Sequence, residues 1–176
     1  MTELLPGLEA APNIHPMLVH FPFALWLAAL LIWAAFVATR KDGLWSTGRL
    51  LLTLGTLGGM AAVASGYWAT DQMGHTAPGH DLVHVHRNWM VATTVLAALT
   101  TAGAWLYRGS SFGPRLGLVG LLLVTGGLLT AGADRGAELV YRYGVGVLNE
   151  APPSEGHDHG TGDHHAEPHD HGGHDH

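Results

Sequence analysis

A chain of 176 residues, 47% hydrophobic and 12% charged, is long enough for one ordinary domain. It has no cysteine, which excludes thiolate metal sites, iron–sulfur clusters, covalently attached c-type haem and disulfides. The formal charge of −6 originates at the C-terminal end, where Glu150, Glu155, Asp158, Asp163, Glu167, Asp170 and Asp175 stand without Lys or Arg; the rest of the chain is about +1, and with no basic stripe anywhere nucleic acid is not an expected partner.

Residues 1–14 form an N-terminal extension. With Glu3, Glu9, Pro6 and Pro12 and no Lys or Arg, it has the wrong composition for a cleavable signal peptide, so the first apolar block is expected to stay as a membrane span. Four apolar blocks follow, at about 17–38, 50–69, 89–107 and 116–133. At 1.5 Å per residue, each reaches roughly 27–33 Å, the thickness of a hydrocarbon core. Buried helices of a soluble bundle would need a polar face, and these blocks show none. The expected fold class is all-α: a four-helix transmembrane bundle over 15–148, with a disordered tail over 149–176. The six tryptophans, Trp26, Trp33, Trp45, Trp68, Trp89 and Trp105, mostly lie toward block ends, where an amphipathic ring favours the membrane interface. Gly55 and Gly59 have small-xxx-small spacing, read as close packing within the bundle rather than as a dimer seam.

Arg40, Lys41, Arg49, Arg108 and Arg115 crowd the two connections at 39–49 and 108–115, whereas the other side carries only Arg87, Arg135 and Arg142 over many more residues. The positive-inside rule then places both termini, and the tail, outward. All fourteen histidines fall on that outward side. His15 and His20 open the first span; His75, His80, His84 and His86 precede the third; the other eight lie in the tail.

His15 and His20 are separated by roughly 140° on a regular helix, so one small site cannot take both, although Pro22 can bend the helix there. The deeper His20 is expected to point into the bundle and His15 to sit at its mouth. His80, His84 and Asn88 recur at four-residue intervals along one helical face; His84 is expected to face inward, with His86 directed away from it. His80 and His84 are also a possible metal pair, two ligands where zinc takes three or four. Asp71 closes span two and Asp134 closes span four; either could orient an imidazole, and Asp134 could instead pair with Arg135 or Arg87. In the tail, His157, His159, His164, His165, His169, His171, His174 and His176 alternate with acids and glycines, a composition suited to loose binding of zinc, nickel, copper or cobalt. After span four, residues 135–148 are expected to form a short structured segment at the interface.

The body resembles the DUF2231 family of predicted bacterial membrane proteins. The resemblance rests on His15-Pro16 with Val19-His20-Phe21-Pro22, on Gly66 and Asp71, on His84 with Asn88, and on the run from Gly136 through Leu139-Val140-Tyr141 to Gly144-Val145-Gly146-Val147. It implies four helices, a bacterial origin and the cytoplasmic membrane. The family has no established activity, but an association of some members with cytochrome c or Rieske domains implies a redox setting and a partner of that type.

Three functions follow from these residues. The first is electron transfer through a b-type haem held between spans one and three by His20 and His84, with His15, Asp71 and Asn88 nearby and Arg87 or Arg135 on the propionates. The second is non-enzymatic handling of a divalent transition metal, captured by the tail and held by His15, His20, His80, His84 and Asp71. The third is a membrane anchor for a partner. No nucleophile with a base, phosphate loop or paired-acid motif supports hydrolysis, and no catalytic residue is expected.

Overall fold

The computed structural model describes residues 11, 13–73 and 76–147. The metal ligands expected at His157, His159, His164, His165, His169, His171, His174 and His176 lie outside the described residues, as does His75. Within them the chain is entirely helical: α1 (His15–Leu18), α2 (His20–Thr39), α3 (Asp42–Asp71), α4 (His80–Leu106) and α5 (Phe112–Tyr143). Four segments are long and apolar enough to cross a membrane, with α1 and α2 together forming the first. Pro16 starts α1, where its fixed φ suits a first turn. Pro22 explains the interruption at Val19, because it has no amide hydrogen to offer the Leu18 carbonyl four residues back.

The helices outrun the apolar blocks. α3 begins at Asp42, α4 begins at His80, and α5 continues to Tyr143 through residues expected to form a separate interfacial segment. Hydropathy marks the part of a helix that meets lipid tails, but the backbone keeps its internal hydrogen bonds into the interface until a residue stops it. Left-handed residues mark three of the boundaries: Arg40 (φ 60°) ends α2, Gly79 (φ 81°) precedes α4 and Gly144 (φ 66°) ends α5. At Gly144 the amides of Gly144 and Val145 return to the carbonyls of Val140 and Leu139, which closes α5.

Each span packs against two others in a ring: α2 on α3, α3 on α4, α4 on α5, and α5 back on α2, with α1 also resting on α3. α2 and α4 therefore face each other across the diagonal. Bulky residues of α2 rest on glycines of α3. Trp33 lies over Gly48, and Trp26 lies over Gly55 and Gly59; seven residues back on one helix match seven forward on the other, as antiparallel packing requires. In lipid this fit contributes van der Waals contact rather than escape from water, and a glycine lets the ring approach the backbone. The second hairpin repeats the device, with Leu118 at Gly103 and Met90 at Gly132.

Trp26, Trp33 and Trp45 are thus buried in the bundle, not at the interface; Trp68, Trp89 and Trp105 are exposed as expected. Trp33 and Trp45 stack with centroids 4.5 Å apart, and Trp33 Nε1 donates to the Trp45 carbonyl at 3.1 Å. Arg115, near the start of α5, pairs with Asp42 and lies 5.1 Å from the Trp45 ring and 5.5 Å from that of Phe36. This contact ties α5 to the α2–α3 turn and closes the arginine end. The opposite end carries the histidines.

Candidate functional site

Two imidazoles turn inward at the histidine end, and they are His15 and His86. The buried stripe of the first span runs through Pro22, Ala29 and Phe36, seven residues apart, and one further step back is His15. The stripe of α4 runs through Thr100 and Thr93, and the same step leads to His86. Seven residues are nearly two helical turns, so each histidine shares the face that meets the core.

Both rings are half-buried and held alike. His15 Nδ1 lies 3.0 Å from the Ala62 carbonyl and 3.0 Å from Ser65 Oγ, and the ring packs over Gly66. His86 Nδ1 lies 2.8 Å from the Gly132 carbonyl, and its ring packs over Gly136. In each case the accepting carbonyl is four residues before the cradling glycine. A carbonyl only accepts, so Nδ1 carries the hydrogen in both rings and the neutral imidazole keeps its lone pair on Nε2. Among the described residues neither Nε2 has a hydrogen-bond partner. Spans one and two thus form one histidine cradle and spans three and four another, both at the same end of the bundle.

The other expected site residues fall elsewhere. His20 is exposed on the outside of α2, so the expected order of the pair is reversed: His15 is inside. The angular argument that only one of them could point inward was sound, but depth in the apolar block chose the wrong ring. Asn88 is exposed too and borders a shallow outer groove of about 360 Å³ with Val85, Trp89 and Ala92. His84 is half-buried and turns to His80, with the two Nε2 atoms 3.1 Å apart, rather than to the centre. The four-residue spacing of His80, His84 and Asn88 pointed to one face correctly but not to the core face. His86, set aside for facing away from His84, was legible from its seven-residue step to Thr93 and Thr100.

Asp71 and Asp134 are exposed, and no hydrogen bond links either to an imidazole among the described residues. Backbone carbonyls orient the rings instead. Arg135 pairs with Glu138 at 3.0 Å, and Arg142 shares that carboxylate at 3.0 Å, so Arg135 is engaged and Asp134 is not its partner. Arg87, next to His86, lies 4.7 Å over the Tyr67 ring, and its buried Nε has no hydrogen-bond partner. Among the described residues Arg87 therefore brings a cation without a carboxylate partner to the edge of the two cradles. No group of three or more His, Asp and Glu side chains gathers as a metal centre among the described residues.

No curated protein and no solved structure matches the chain. The DUF2231 family model, described as a predicted membrane protein, matches residues 11–149, a range that takes in both histidine cradles and all four spans. The chain belongs to the DUF2231 family of predicted membrane proteins.

Proposed function

We propose that this protein holds a b-type haem between His15 and His86 and passes electrons at the histidine end of the bundle. The observation that carries the reading is the pair of half-buried imidazoles at one end of the bundle, each with Nδ1–H spent on a backbone carbonyl and Nε2 left with its lone pair. Metal-binding histidines almost always donate their other nitrogen in this way, which fixes the tautomer and ring orientation and raises the basicity of the ligating atom. Gly66 and Gly136 let the two rings seat against the neighbouring helices, where a Cβ would crowd them. Arg87 offers its guanidinium to a carboxylate at the rim, while Arg135 is occupied by Glu138.

Bound haem supplies a one-electron couple whose potential the protein sets through axial ligands, hydrogen bonds and burial. The chain's contribution is to hold two neutral imidazoles on separate hairpins, to shield them with the bundle, and to leave one end of the site near the membrane surface. By the distribution of Arg and Lys, that end faces outward from the bacterial cytoplasmic membrane, where a cytochrome or Rieske-type partner would reach it.

The test is the visible spectrum of the full chain purified in mild detergent after haem-replete expression. A Soret band with the sharp bands of a six-coordinate bis-imidazole haem is expected. His15→Ala and His86→Ala should each remove that signature, and His20→Ala and His84→Ala should leave it unchanged. Colourless protein that also fails to take up added haem, or a spectrum indifferent to His15 and His86, overturns the reading.

A further inference from the structure

The arginine end carries charge that the bundle leaves unbalanced. The connections at 39–49 and 108–115 hold five cations, Arg40, Lys41, Arg49, Arg108 and Arg115, and one carboxylate, Asp42, so four positive charges remain. Asp42 is already taken by Arg115. Arg40 lies over the Phe112 ring, which covers its guanidinium without neutralising it.

Arg49 differs from the others in how it is held. It is half-buried near the start of α3, beside the end of α4, with its guanidinium 4.0 Å from the centre of the Trp105 ring. Trp105 is itself fixed, because Nε1 donates to Thr53 Oγ1 at 2.9 Å and that hydroxyl donates in turn to the Arg49 carbonyl at 2.8 Å. The ring therefore ties α4 to the turn of α3 that carries Arg49. The Arg49 Nε is buried without a hydrogen-bond partner, and among the described residues no carboxylate pairs with the guanidinium. Leu50 opens the apolar block immediately after it, so this cation stands where hydrocarbon gives way to head groups. Leu57, about two turns further along α3, and Leu106, beside Trp105, are both exposed.

We propose that the junction where α3 begins and α4 ends binds an anionic phospholipid, its phosphate on Arg49 and an acyl chain along Leu57 and Leu106. A guanidinium fork matches two phosphate oxygens, and its stacking on Trp105 sets the direction of that fork before the lipid arrives. Basic sites between transmembrane helices are a recurrent place for anionic head groups. Charge selects the lipid class. An ammonium head group would bring a further cation to an end whose one carboxylate is occupied and whose Trp105 face is covered, whereas a phosphate ester with a neutral head group adds only negative charge. The site holds whichever leaflet this end meets, and it does not rest on haem or on His15 and His86.

Lipid retention by the full chain in detergent tests the proposal, read by native mass spectrometry with added phosphatidylglycerol or phosphatidylethanolamine of matched acyl chains. Phosphatidylglycerol should be retained in preference. Arg49→Gln should lower its retention about fivefold, the effect of one cation near a membrane surface, and Arg49→Lys should lower it less. Arg142→Gln, at the histidine end, should leave it unchanged. Because Arg49→Gln also removes the cation from the Trp105 ring, brominated lipids give a second reading. Brominated phosphatidylglycerol should quench the parent's fluorescence more than the brominated ethanolamine lipid does, and the excess should vanish in Trp105→Phe. Equal retention of the two lipids overturns the proposal, as does parent-like retention by Arg49→Gln, which would leave only a diffuse basic surface. Displacement of the lipid by an equal concentration of glycerol phosphate would assign the site to a soluble phosphate ester and overturn it too.

Discussion

His15 and His86 owe their orientation to glycines as much as to their own positions. A Cβ on Gly66 would come within 3.0 Å of His15 Cε1, and one on Gly136 within 2.9 Å of His86 Cε1. A branched side chain at either position must displace the ring and break its Nδ1 bond. Loss of such a supporting contact commonly weakens a metal ligand by about 10–100-fold. Gly66→Val and Gly136→Val should therefore each lower haem retention on that scale, measured by haem transfer to an apo-acceptor. Gly120→Val, whose Cβ position is open, should not. The equality of the two effects tests the idea that the cradles are equivalent.

At the scale of the helix, the glycines of α3 differ in what lies over them: Trp33 over Gly48, Trp26 over Gly55 and Gly59, Pro22 over Gly58, His15 over Gly66, and nothing over Gly43. A Cβ on Gly48 would overlap the Trp33 indole, which is fully buried and hydrogen-bonded to Trp45, so neither ring can retreat. Gly48→Ala should lower stability by about 1–3 kcal/mol, the usual range for overpacking, seen as reduced resistance to thermal unfolding in detergent. Gly117→Ala in α5, where nothing lies within 4 Å, should be neutral or gain up to about 1 kcal/mol of helix propensity. The pair Gly55 and Gly59 is covered likewise, since Trp26 fills the groove they make. This agrees with its reading as internal packing. That four apolar blocks form four spans was plain from their length and lack of charge. Which face of each turned inward was not, because an all-round apolar helix carries no amphipathic stripe. The seven-residue steps from Phe36 to His15 and from Thr100 to His86 were present in the chain, but the more obvious spacing of His80, His84 and Asn88 competed with them.

For the whole molecule, closure of the ring at the arginine end rests on Arg115. Its carboxylate partner Asp42 is 78% exposed, and exposed pairs contribute only about 0.2–1 kcal/mol. The guanidinium itself is largely covered by Phe36 and Trp45. Asp42→Asn should accordingly change thermal stability little, whereas Arg115→Ala, which also removes the aromatic contact, should cost clearly more. Orientation has its own test. On the proposed orientation, protease added from outside the cytoplasmic membrane should shorten the protein by its tail, and cleavage only after lysis would reverse it.

What the chain's composition determined alone is its solvent. Four blocks of roughly 18–22 uncharged residues have one stable environment, because lipid penalises bare charge and unpaired backbone wherever they occur. Absence of cysteine likewise restricted any bound metal to imidazole, carboxylate, thioether or backbone donors. Only tertiary structure decided which histidines meet. Helix rotation in a bundle follows the fit of bulky residues against glycines on the neighbouring helix, as Trp26 and Trp33 fit α3, and that fit is a property of pairs rather than of either sequence segment. It turned His20 outward, seated His15 and His86 on carbonyls of the neighbouring helices, and left His80 and His84 together.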